Sequence, residues 1–376
     1  MMITRKVYLA LSLLLIFVVS CENNSRTIEV FNEKGKQIQT HQAPDLSLNV
    51  FKAELQNENN EWILQGETNL PEAKKDVIAL ADSLLGNGNY QNKFNELPDS
   101  SLGDSTYGLV CISVANLRET PHNSAQLVDQ DIMGSTLRLL KNDGWWYLIQ
   151  TEYGYIGWMG AGSFYRTDLK GIESWKRTDR VRVTELFPLV YSKPDEHSEP
   201  VTDVVLNAIL KVIGKTGEWT KVSTPDGRDG FIKSKFVSRD IDPIIPPEKL
   251  RSSIIRTARS MMGFPYLWGG NSTKGNDCSG FTQTVFKTNG IDILRDAGQQ
   301  AREGEEIIPD ESFSNILPGD LLFFGFGDRI THVGISLGGP EFIHQSSEVH
   351  INSLNPDAKN YSDYRRKSLK KIKRYF

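Results

Sequence analysis

The chain has 376 residues, which is enough for two or three domains that each bury a core. Hydrophobic residues make up 39% of it, charged residues make up 24%, and the formal net charge is -4, as in ordinary soluble proteins. Basic and aromatic residues form no mixed cluster in mid-chain, so the composition does not indicate nucleic-acid binding. The basic C-terminal segment, residues 365–374, is interrupted by apolar residues and predicts a solvent-exposed face of the last domain.

The N-terminus has the features of an export signal. Two basic residues, Arg5 and Lys6, precede an apolar run over residues 7–19 that is too short to span a bilayer comfortably. The run is followed by Ser20 and Cys21, and this ending resembles a bacterial lipobox. We therefore expect an exported lipoprotein, anchored in a membrane and facing the periplasm or the cell exterior, with a signal peptide over residues 1–20, a lipid on Cys21 and a tether over residues 21–44.

Residues 45–100 predict a small α/β unit. Loose alternation of apolar and polar residues near 50–55 and 62–66 indicates two strands. Pro71 then begins an amphipathic helix, because proline is favoured in the first turn and an apolar stripe follows it. The pattern of this unit indicates no function.

Two segments, residues 105–168 and 178–240, predict two copies of one small β-barrel. Short strands with turn residues between them repeat at a spacing of 73 residues, and self-similarity at a fixed spacing indicates a duplicated unit. The matched pairs are Leu137 and Leu210, Gly144 and Gly217, Trp146 and Trp219, Thr151 and Thr224, Gly154 and Gly227, and Gly157 and Gly230.

The first copy resembles the bacterial SH3-like domain that is common in cell-wall proteins. The resemblance is carried by Asn116-Leu117-Arg118, a Gly-Trp pair and Tyr155-Ile156-Gly157-Trp158. It is weaker in the second copy, where Arg228 stands opposite Tyr155. Cys111 lies in an apolar run of the first copy, so we expect a buried and unreactive thiol there.

The strongest chemical signal lies in the last domain, predicted to span residues 249–376 after a Pro-rich linker over residues 241–248. A Gly-rich loop leads into Asp277-Cys278-Ser279-Gly280-Phe281, where Asp277 is suited to cap a helix. A cysteine in the first turn of a helix meets free N–H groups and the positive end of the dipole, so its pKa can fall below about 8.5. Cys278 is therefore a candidate nucleophile, and its own backbone N–H is a candidate donor to the oxyanion.

Two histidines downstream can complete this site. His332 and His344 lie in two consecutive predicted strands, and they suit a base and the group that orients it. Together with Cys278 they could also bind zinc, but no fourth Cys or His has ligand spacing, so zinc is not expected. His350 lies beyond the centre of its predicted strand and is a less attractive partner.

Together these motifs resemble the NlpC family of bacterial cell-wall cysteine peptidases. The shared features are Asp-Cys-Ser-Gly-Phe at 277–281, His332 in His-Val-Gly-Ile, His344, Tyr266-Leu267-Trp268-Gly269-Gly270 and the turn Pro318-Gly319-Asp320-Leu321. The resemblance covers about the last 130 residues and implies a papain-like α+β domain within a multidomain α+β chain. It implies an acyl-enzyme, with Cys278 as the nucleophile, His332 as the base and His344 as the residue that orients the base.

Members of this family typically hydrolyse the bond between γ-D-glutamate and a diamino acid in peptidoglycan stem peptides. A subgroup with two SH3-like barrels acts on short stems with a free N-terminal L-alanine, whose ammonium requires carboxylate partners. The substrate-binding residues implied by this resemblance are Asp296, Arg295, Glu119, Tyr155, Ser279 and Trp268. Two alternatives stay open: Asp296 could pair with Arg295 on the surface, and Tyr155 could serve packing alone.

We therefore expect a monomer that hydrolyses L-Ala-γ-D-Glu-diamino acid peptides, with no cofactor, no bound metal and no nucleic-acid partner. One alternative is an endopeptidase that acts on intact, glycan-linked peptidoglycan and uses the barrels as wall anchors. Another is a wall-binding lipoprotein whose catalytic domain is idle. The complete set of Cys278, His332 and His344 argues against the idle form.

Overall fold

The computed structural model describes residues 24–240 and 246–376. These residues form two compact units, divided between Leu102 and Gly103. The expected lipidation site Cys21, the expected signal peptide and residues 241–245 of the expected linker lie outside the described residues. Within the part of the chain that is described, no helix is long and apolar enough to cross a membrane.

The first unit combines a three-stranded sheet with two helices. Residues 24–42 form helix α1, which is followed by β1 Phe51–Glu58, β2 Glu61–Thr68, α2 Pro71–Leu85 and β3 Gln91–Glu96. The first two strands pair antiparallel, and β3 pairs parallel to β2 because α2 provides the crossover between them. Asn59 and Asn60 both have positive φ, as a two-residue hairpin turn requires.

Helix α1 corrects the expectation of a tether over residues 21–44. Phe31 of this helix is fully buried and packs with Leu55, Leu64 and Val77 in the core of the first unit. A short helix depends on packing of its apolar face more than on its intrinsic propensity. The partners of α1 come from the strands and from α2, so the local sequence alone did not indicate it.

The two barrels share one topology. The strands of the first barrel are β4 Tyr107–Val110, β5 Val114–Arg118, β6 Leu127–Ile132, β7 Thr136–Asp143, β8 Trp146–Thr151, β9 Ile156–Gly160 and β10 Phe164–Thr167. Helix α3, Leu169–Arg177, leads to the strands of the second barrel, which are β11 Arg180–Val183, β12 Leu189–Tyr191, β13 Pro200–Asp203, β14 Ile209–Thr216, β15 Trp219–Ser223, β16 Asp229–Lys233 and β17 Val237–Arg239. The order across the sheet is β6-β5-β9-β8-β7-β4-β10 in the first barrel and β13-β12-β16-β15-β14-β11-β17 in the second, so every strand has its counterpart.

The matched residues of the repeat build the same turn twice. The hydroxyl of Thr151 accepts the N–H of Tyr155 at 3.0 Å, and the hydroxyl of Thr224 accepts the N–H of Arg228 at 3.0 Å. The side chain that follows each turn differs, however. That of Arg228 donates to the carbonyl of Cys111 in the first barrel at 2.6 Å, and so it joins the two barrels.

The last domain is a six-stranded antiparallel sheet covered by helices. Its helices are α4 Pro247–Ser260, α5 Cys278–Thr288, α6 Ala297–Gln300 and α7 Asp363–Ser368. Its strands are β18 Asn271–Ser272, β19 Gly275–Asn276, β20 Glu305–Glu306, β21 Leu321–Phe326, β22 Arg329–Gly338, β23 Glu341–Gln345, β24 Val349–Ser353 and β25 Leu369–Arg374. The order of the large sheet is β20-β25-β21-β22-β23-β24, and β18 pairs only with β19.

The core of this domain aligns the helix that starts at Cys278 with the strands that carry the histidines. Phe281 and Val285 of α5 are fully buried in a cluster with Val333 of β22 and Ile343 of β23. Burial of four such side chains contributes several kcal/mol to the stability of the fold, at about 25 cal/mol per Å² of apolar surface. The beginning of α5 is therefore held against the middle of the sheet.

Candidate active site

Cys278 is the first residue of α5, and the chain around it is fixed by hydrogen bonds. One carboxylate oxygen of Asp277 accepts the N–H of Gly280 at 2.8 Å and caps the helix. The other oxygen accepts the N–H of Gly269 in the Gly-rich loop at 3.0 Å. A Cβ on Gly280 would lie 2.1 Å from the carbonyl oxygen of Gly270, so only glycine lets the loop approach the helix this closely.

The two expected histidines are joined in a buried chain of hydrogen bonds. His332 Nε2 lies 2.8 Å from His344 Nδ1, and His344 Nε2 lies 3.0 Å from Asn352 Oδ1. The amide nitrogen of Asn352 donates to the carbonyl of Asn360 at 3.2 Å. His350 Nε2 lies 3.2 Å from the same Asn352 oxygen, so this histidine supports the chain from outside.

This chain defines the tautomer of both imidazoles. Because the carbonyl of Asn360 can only accept, the amide oxygen of Asn352 must face His344, whose Nε2 then carries the proton. The Nδ1 of a neutral His344 accepts, so the proton between the two rings belongs to His332 Nε2. His332 Nδ1 is then the unprotonated nitrogen of the base.

Burial sets the charge state of the catalytic groups. It raises the pKa of the Cys278 thiol to about 11, with a further contribution from the carboxylate of Asp277, while the N–H of Val333 lowers it. Burial also holds the pKa of His332 well below its usual value and lowers the pKa of His344 to about 3. Burial therefore opposes the lowering of the thiol pKa that the helix start favours, and it favours the neutral forms of the thiol and of both imidazoles.

Arg295 is a buried bridge and not a substrate contact, which corrects its expected role. Its side chain is 1% exposed, and its nitrogens donate to Asp129 of the first barrel, to Asp277, to the hydroxyl of Ser279 and to the carbonyl of Gly270. These bonds use all the donors of the guanidinium. The hydroxyl of Ser279 is held in the same network, so its expected contact with substrate has no support in the structure.

Tyr155 and Asp296 do come together, across the boundary between the first barrel and the last domain. The hydroxyl of Tyr155 lies 3.4 and 3.5 Å from the two carboxylate oxygens of Asp296. Burial, with the nearby charge of Asp296, raises the pKa of Tyr155, so its hydroxyl stays neutral. Asp296 is half-buried, begins α6 and forms a capping box with Gln299. The surface pair of Asp296 with Arg295 does not form, because Arg295 is used elsewhere.

The remaining two candidates for substrate binding, Trp268 and Glu119, are exposed to solvent. Trp268 is 63% exposed, and Glu119 is exposed in the loop between β5 and β6. The first residue of β6, directly after this loop, reaches the Gly-rich segment, since a Cβ on Gly269 would meet the carbonyl oxygen of Leu127 at 2.3 Å. Among the described residues, no hydrogen bond or ion pair links the side chain of Glu119 to the other candidates, and its role stays a prediction.

Comparison with protein families agrees with this geometry. Residues 263–369 match the NlpC/P60 family, and residues 190–238 match the bacterial SH3 domain. The chain joins a bacterial SH3 domain to an NlpC/P60 domain. The SH3 match falls on the second barrel, although we expected the first to be the better fit. The NlpC/P60 domain makes this chain a cysteine peptidase.

Individual relatives match stretches that are longer than the NlpC/P60 domain. It is 29% identical over 258 residues to dipeptidyl-peptidase 6 of Lysinibacillus sphaericus, a match that covers 66% of this chain and 91% of that protein. It is 33% identical over 191 residues to gamma-D-glutamyl-L-lysine dipeptidyl-peptidase of Bacillus subtilis strain 168, covering 48% and 62%. A crystal structure of an NlpC/P60 family protein from Bacillus cereus superposes with a TM-score of 0.62 at 23% identity, covering 72% of this chain and 99% of that one. This confirms the expected multidomain α+β fold.

Sequence reasoning missed two residues of the NlpC/P60 site. Burial and the nearby charge of Cys278 raise the pKa of Tyr266, so its hydroxyl stays neutral. Its place beside Trp268 in a recognised motif was a usable signal. Asn352 gave none, because its position beside His344 depends on the pairing of β24 with β23. Among the described residues there is no group of three His, Cys, Asp or Glu suited to a metal.

Proposed function

We propose that the NlpC/P60 domain hydrolyses the bond between γ-D-glutamate and a diamino acid in peptidoglycan stem peptides that carry a free N-terminal L-alanine. The names of two relatives, dipeptidyl-peptidase 6 and gamma-D-glutamyl-L-lysine dipeptidyl-peptidase, support this substrate class. The observation that carries the free-amine requirement is the contact between Tyr155 and Asp296.

The chemistry of this pair suits an ammonium group. Asp296 supplies a negative charge, and the hydroxyl of Tyr155 keeps acceptor lone pairs while it donates to that carboxylate. An ammonium has three donors and a positive charge, whereas an acylated nitrogen is neutral, has one donor and is larger. In a half-buried site the loss of such a pairing is costly, so a blocked amine should bind poorly.

The reaction proceeds through an acyl-enzyme. His332 Nδ1 takes the proton of the Cys278 thiol, and the thiolate adds to the γ-carbonyl carbon of D-glutamate. The N–H of Cys278, which has no partner within α5, faces the oxyanion. His332 then gives its proton to the leaving amine as the C–N bond breaks, and a thioester remains. The same histidine deprotonates a water, which attacks the thioester and releases Cys278 and L-Ala-D-Glu.

The test is a comparison of L-Ala-γ-D-Glu-L-Lys with its N-acetylated form. We expect release of lysine from the first and at least tenfold slower release from the second, measured by chromatography. Cys278→Ala should abolish both reactions, and retained turnover would rule out the thiol mechanism. Equal rates on the two peptides would reject the free-amine requirement. Efficient release from purified sacculi would favour the alternative, an endopeptidase on intact peptidoglycan.

We also propose that the chain is exported and anchored through a lipid on Cys21. The support is the sequence pattern alone: a basic start, a short apolar run and a small residue before this cysteine. Cys21→Ala should shift the protein from the membrane fraction to the soluble fraction of a bacterial host. An unchanged distribution would contradict lipid anchoring.

A further inference from the structure

A half-buried guanidinium lies beside the catalytic histidines. Arg365 belongs to α7, which runs directly into β25. In the sheet, Leu369 of β25 pairs with Phe324 of β21, and Phe324 pairs with His332 of β22. The guanidinium carbon of Arg365 lies 5.5 Å from the centre of the Phe324 ring, which is 5.8 Å from that of His332. The guanidinium carbon also lies 5.3 Å from the centre of the Tyr364 ring. The rings of Phe324 and Tyr364 thus hold Arg365 near His332.

The charge of Arg365 is not balanced by the protein. The other basic side chains of α7 have partners, since Arg366 donates to the carbonyl of Leu354 at 2.8 Å and Lys367 pairs with Asp363 at 2.8 Å. For Arg365, by contrast, no carboxylate or carbonyl within the described residues accepts from the side chain. A guanidinium has five donors and is rarely buried without partners. The site is therefore complementary to an anion.

Electrostatics link this guanidinium to the reacting groups. Burial lowers the pKa of Arg365, while Tyr364 and the sulfur of Cys278 favour its charged form. In turn, the positive charge of Arg365 adds to burial in lowering the pKa of His332. One aromatic ring, that of Phe324, thus separates Arg365 from His332, which places the guanidinium at the edge of the active site.

The direction of the reaction tells which part of the peptide lies there. The base that takes the thiol proton later delivers it to the leaving amine, so the leaving group lies on the side of the histidine. Arg365 lies at Phe324, on the strand next to that of His332, whereas Asp296 starts α6 and contacts Tyr155 of the first barrel. A peptide whose amine meets Asp296 would therefore extend its diamino acid towards Arg365.

We propose that Arg365 binds the α-carboxylate of the leaving diamino acid and selects stem peptides that end at that residue. This carboxylate is present in lysine and in diaminopimelate alike, and a guanidinium can bind it with two parallel hydrogen bonds. A stem that continues beyond the diamino acid has an amide there and loses the charge. The inference rests on the proposed function, because it takes the diamino acid as the leaving group.

The experiment compares three peptides with wild-type enzyme and Arg365→Gln. The peptides are L-Ala-γ-D-Glu-L-Lys, the same peptide with a C-terminal carboxamide, and the same peptide with D-isoglutamine in place of D-glutamate. For the wild type we expect kcat/KM to fall about 10- to 100-fold on amidation of the lysine carboxylate. For Arg365→Gln this difference should vanish, while the rate on the carboxamide stays close to that of the wild type. Lys370→Gln, which changes an exposed charge of β25, is the matched control and should behave as the wild type.

The outcomes separate the two proposals. If the wild type releases no lysine from the tripeptide, the proposed function itself is wrong. If it cleaves the acid and the carboxamide equally, only the role of Arg365 is refuted. A loss in Arg365→Gln that is equal on all three peptides would show that the guanidinium acts on the thiolate, and sensitivity to isoglutamine alone would assign Arg365 to the D-glutamate carboxylate. Either result overturns the inference.

Discussion

At the scale of single residues, the activation of Cys278 depends on two opposing effects. Its place at the start of α5 favours a thiolate through free N–H groups and the helix dipole. Burial and the charge of Asp277 favour the thiol, and they prevail, since the pKa is raised to about 11. In the proposed mechanism the proton therefore leaves the sulfur only when His332 accepts it, in step with attack on the substrate.

This balance predicts how the free enzyme reacts with iodoacetamide. Below a thiol pKa of about 11, the thiolate fraction rises tenfold for each pH unit, so the alkylation rate should climb steadily from pH 7 to pH 9. Rates would be measured by mass spectrometry of the peptide that contains Cys278, with the buried Cys111 as an internal comparison. A plateau of the rate near pH 7 would mean that a stable thiolate–imidazolium pair exists in the free enzyme.

Asn352 is predicted to maintain the tautomer on which the base depends. Asn352→Leu removes the oxygen that accepts from His344, so the proton between the two imidazoles is no longer assigned to His332 Nε2. We expect kcat to fall at least tenfold with little change in KM, because the effect is on proton transfer and not on binding. Asn352→Asp keeps an acceptor and adds a charge, so it should retain more activity and move the acid limb of the pH profile upward. If both variants lower kcat equally and leave the pH profile unchanged, the residue has a packing role only.

At the scale of elements, the first turn of α5 is held by a buried ion network. Arg295 joins Asp129 on β6 to Asp277, which caps the helix. Partnered charges of this kind contribute little net stability compared with apolar residues, yet removal of one partner leaves buried polar groups without hydrogen bonds. The helix start is therefore held in place from the barrel side as well as from its own sheet.

Asp129→Ala should destabilise the unit formed by residues 103–376. We expect the free energy of unfolding to fall by about 3 kcal/mol, measured by urea denaturation followed by circular dichroism. The surface pair of Lys367 and Asp363 provides the control, because Lys367→Ala breaks an exposed ion pair and should leave the midpoint unchanged. Equal effects of the two substitutions would show that the network is not stabilising the fold.

The sequence predicts those elements that depend on neighbouring residues, and it fails for those that depend on residues distant in the chain. The helix start at Cys278 and the strands of His332 and His344 are predicted correctly in position, because a cap and alternating apolar residues are local signals. Helix α1 and the placement of Asn352 were missed because both depend on partners distant in the chain. Arg295 was given the wrong role for the same reason, since its partner Asp129 lies in another domain.

At the scale of the whole molecule, one position of the repeat serves two different contacts. The residue after the shared turn is Tyr155 in the first barrel, where it meets Asp296, and Arg228 in the second, where it binds the carbonyl of Cys111. The first barrel thereby takes part in the site, and the second barrel braces the first. Two copies with one topology have thus diverged at the residue that faces their neighbour.

Tyr155→Phe tests whether the first barrel contributes to recognition. The substitution removes the hydroxyl beside Asp296 and leaves the ring, so kcat/KM on L-Ala-γ-D-Glu-L-Lys should fall about tenfold. The slow rate on the N-acetylated peptide should not change. Tyr147→Phe, in the same barrel and packed against Phe164, is the control and should have no effect on either peptide. An equal loss on both peptides would assign Tyr155 to packing of the interface.

The network around Arg295 also limits how this protein can be recombined. Asp129 belongs to the first barrel, and the matched position of the second barrel is Thr202, which cannot balance a guanidinium. A chimaera that exchanges the first barrel for a copy of the second would leave the Nε of Arg295 without its buried acceptor next to the nucleophile. The first barrel and the peptidase domain therefore have to be exchanged together, or the replacement barrel has to contain an aspartate at the position of Asp129.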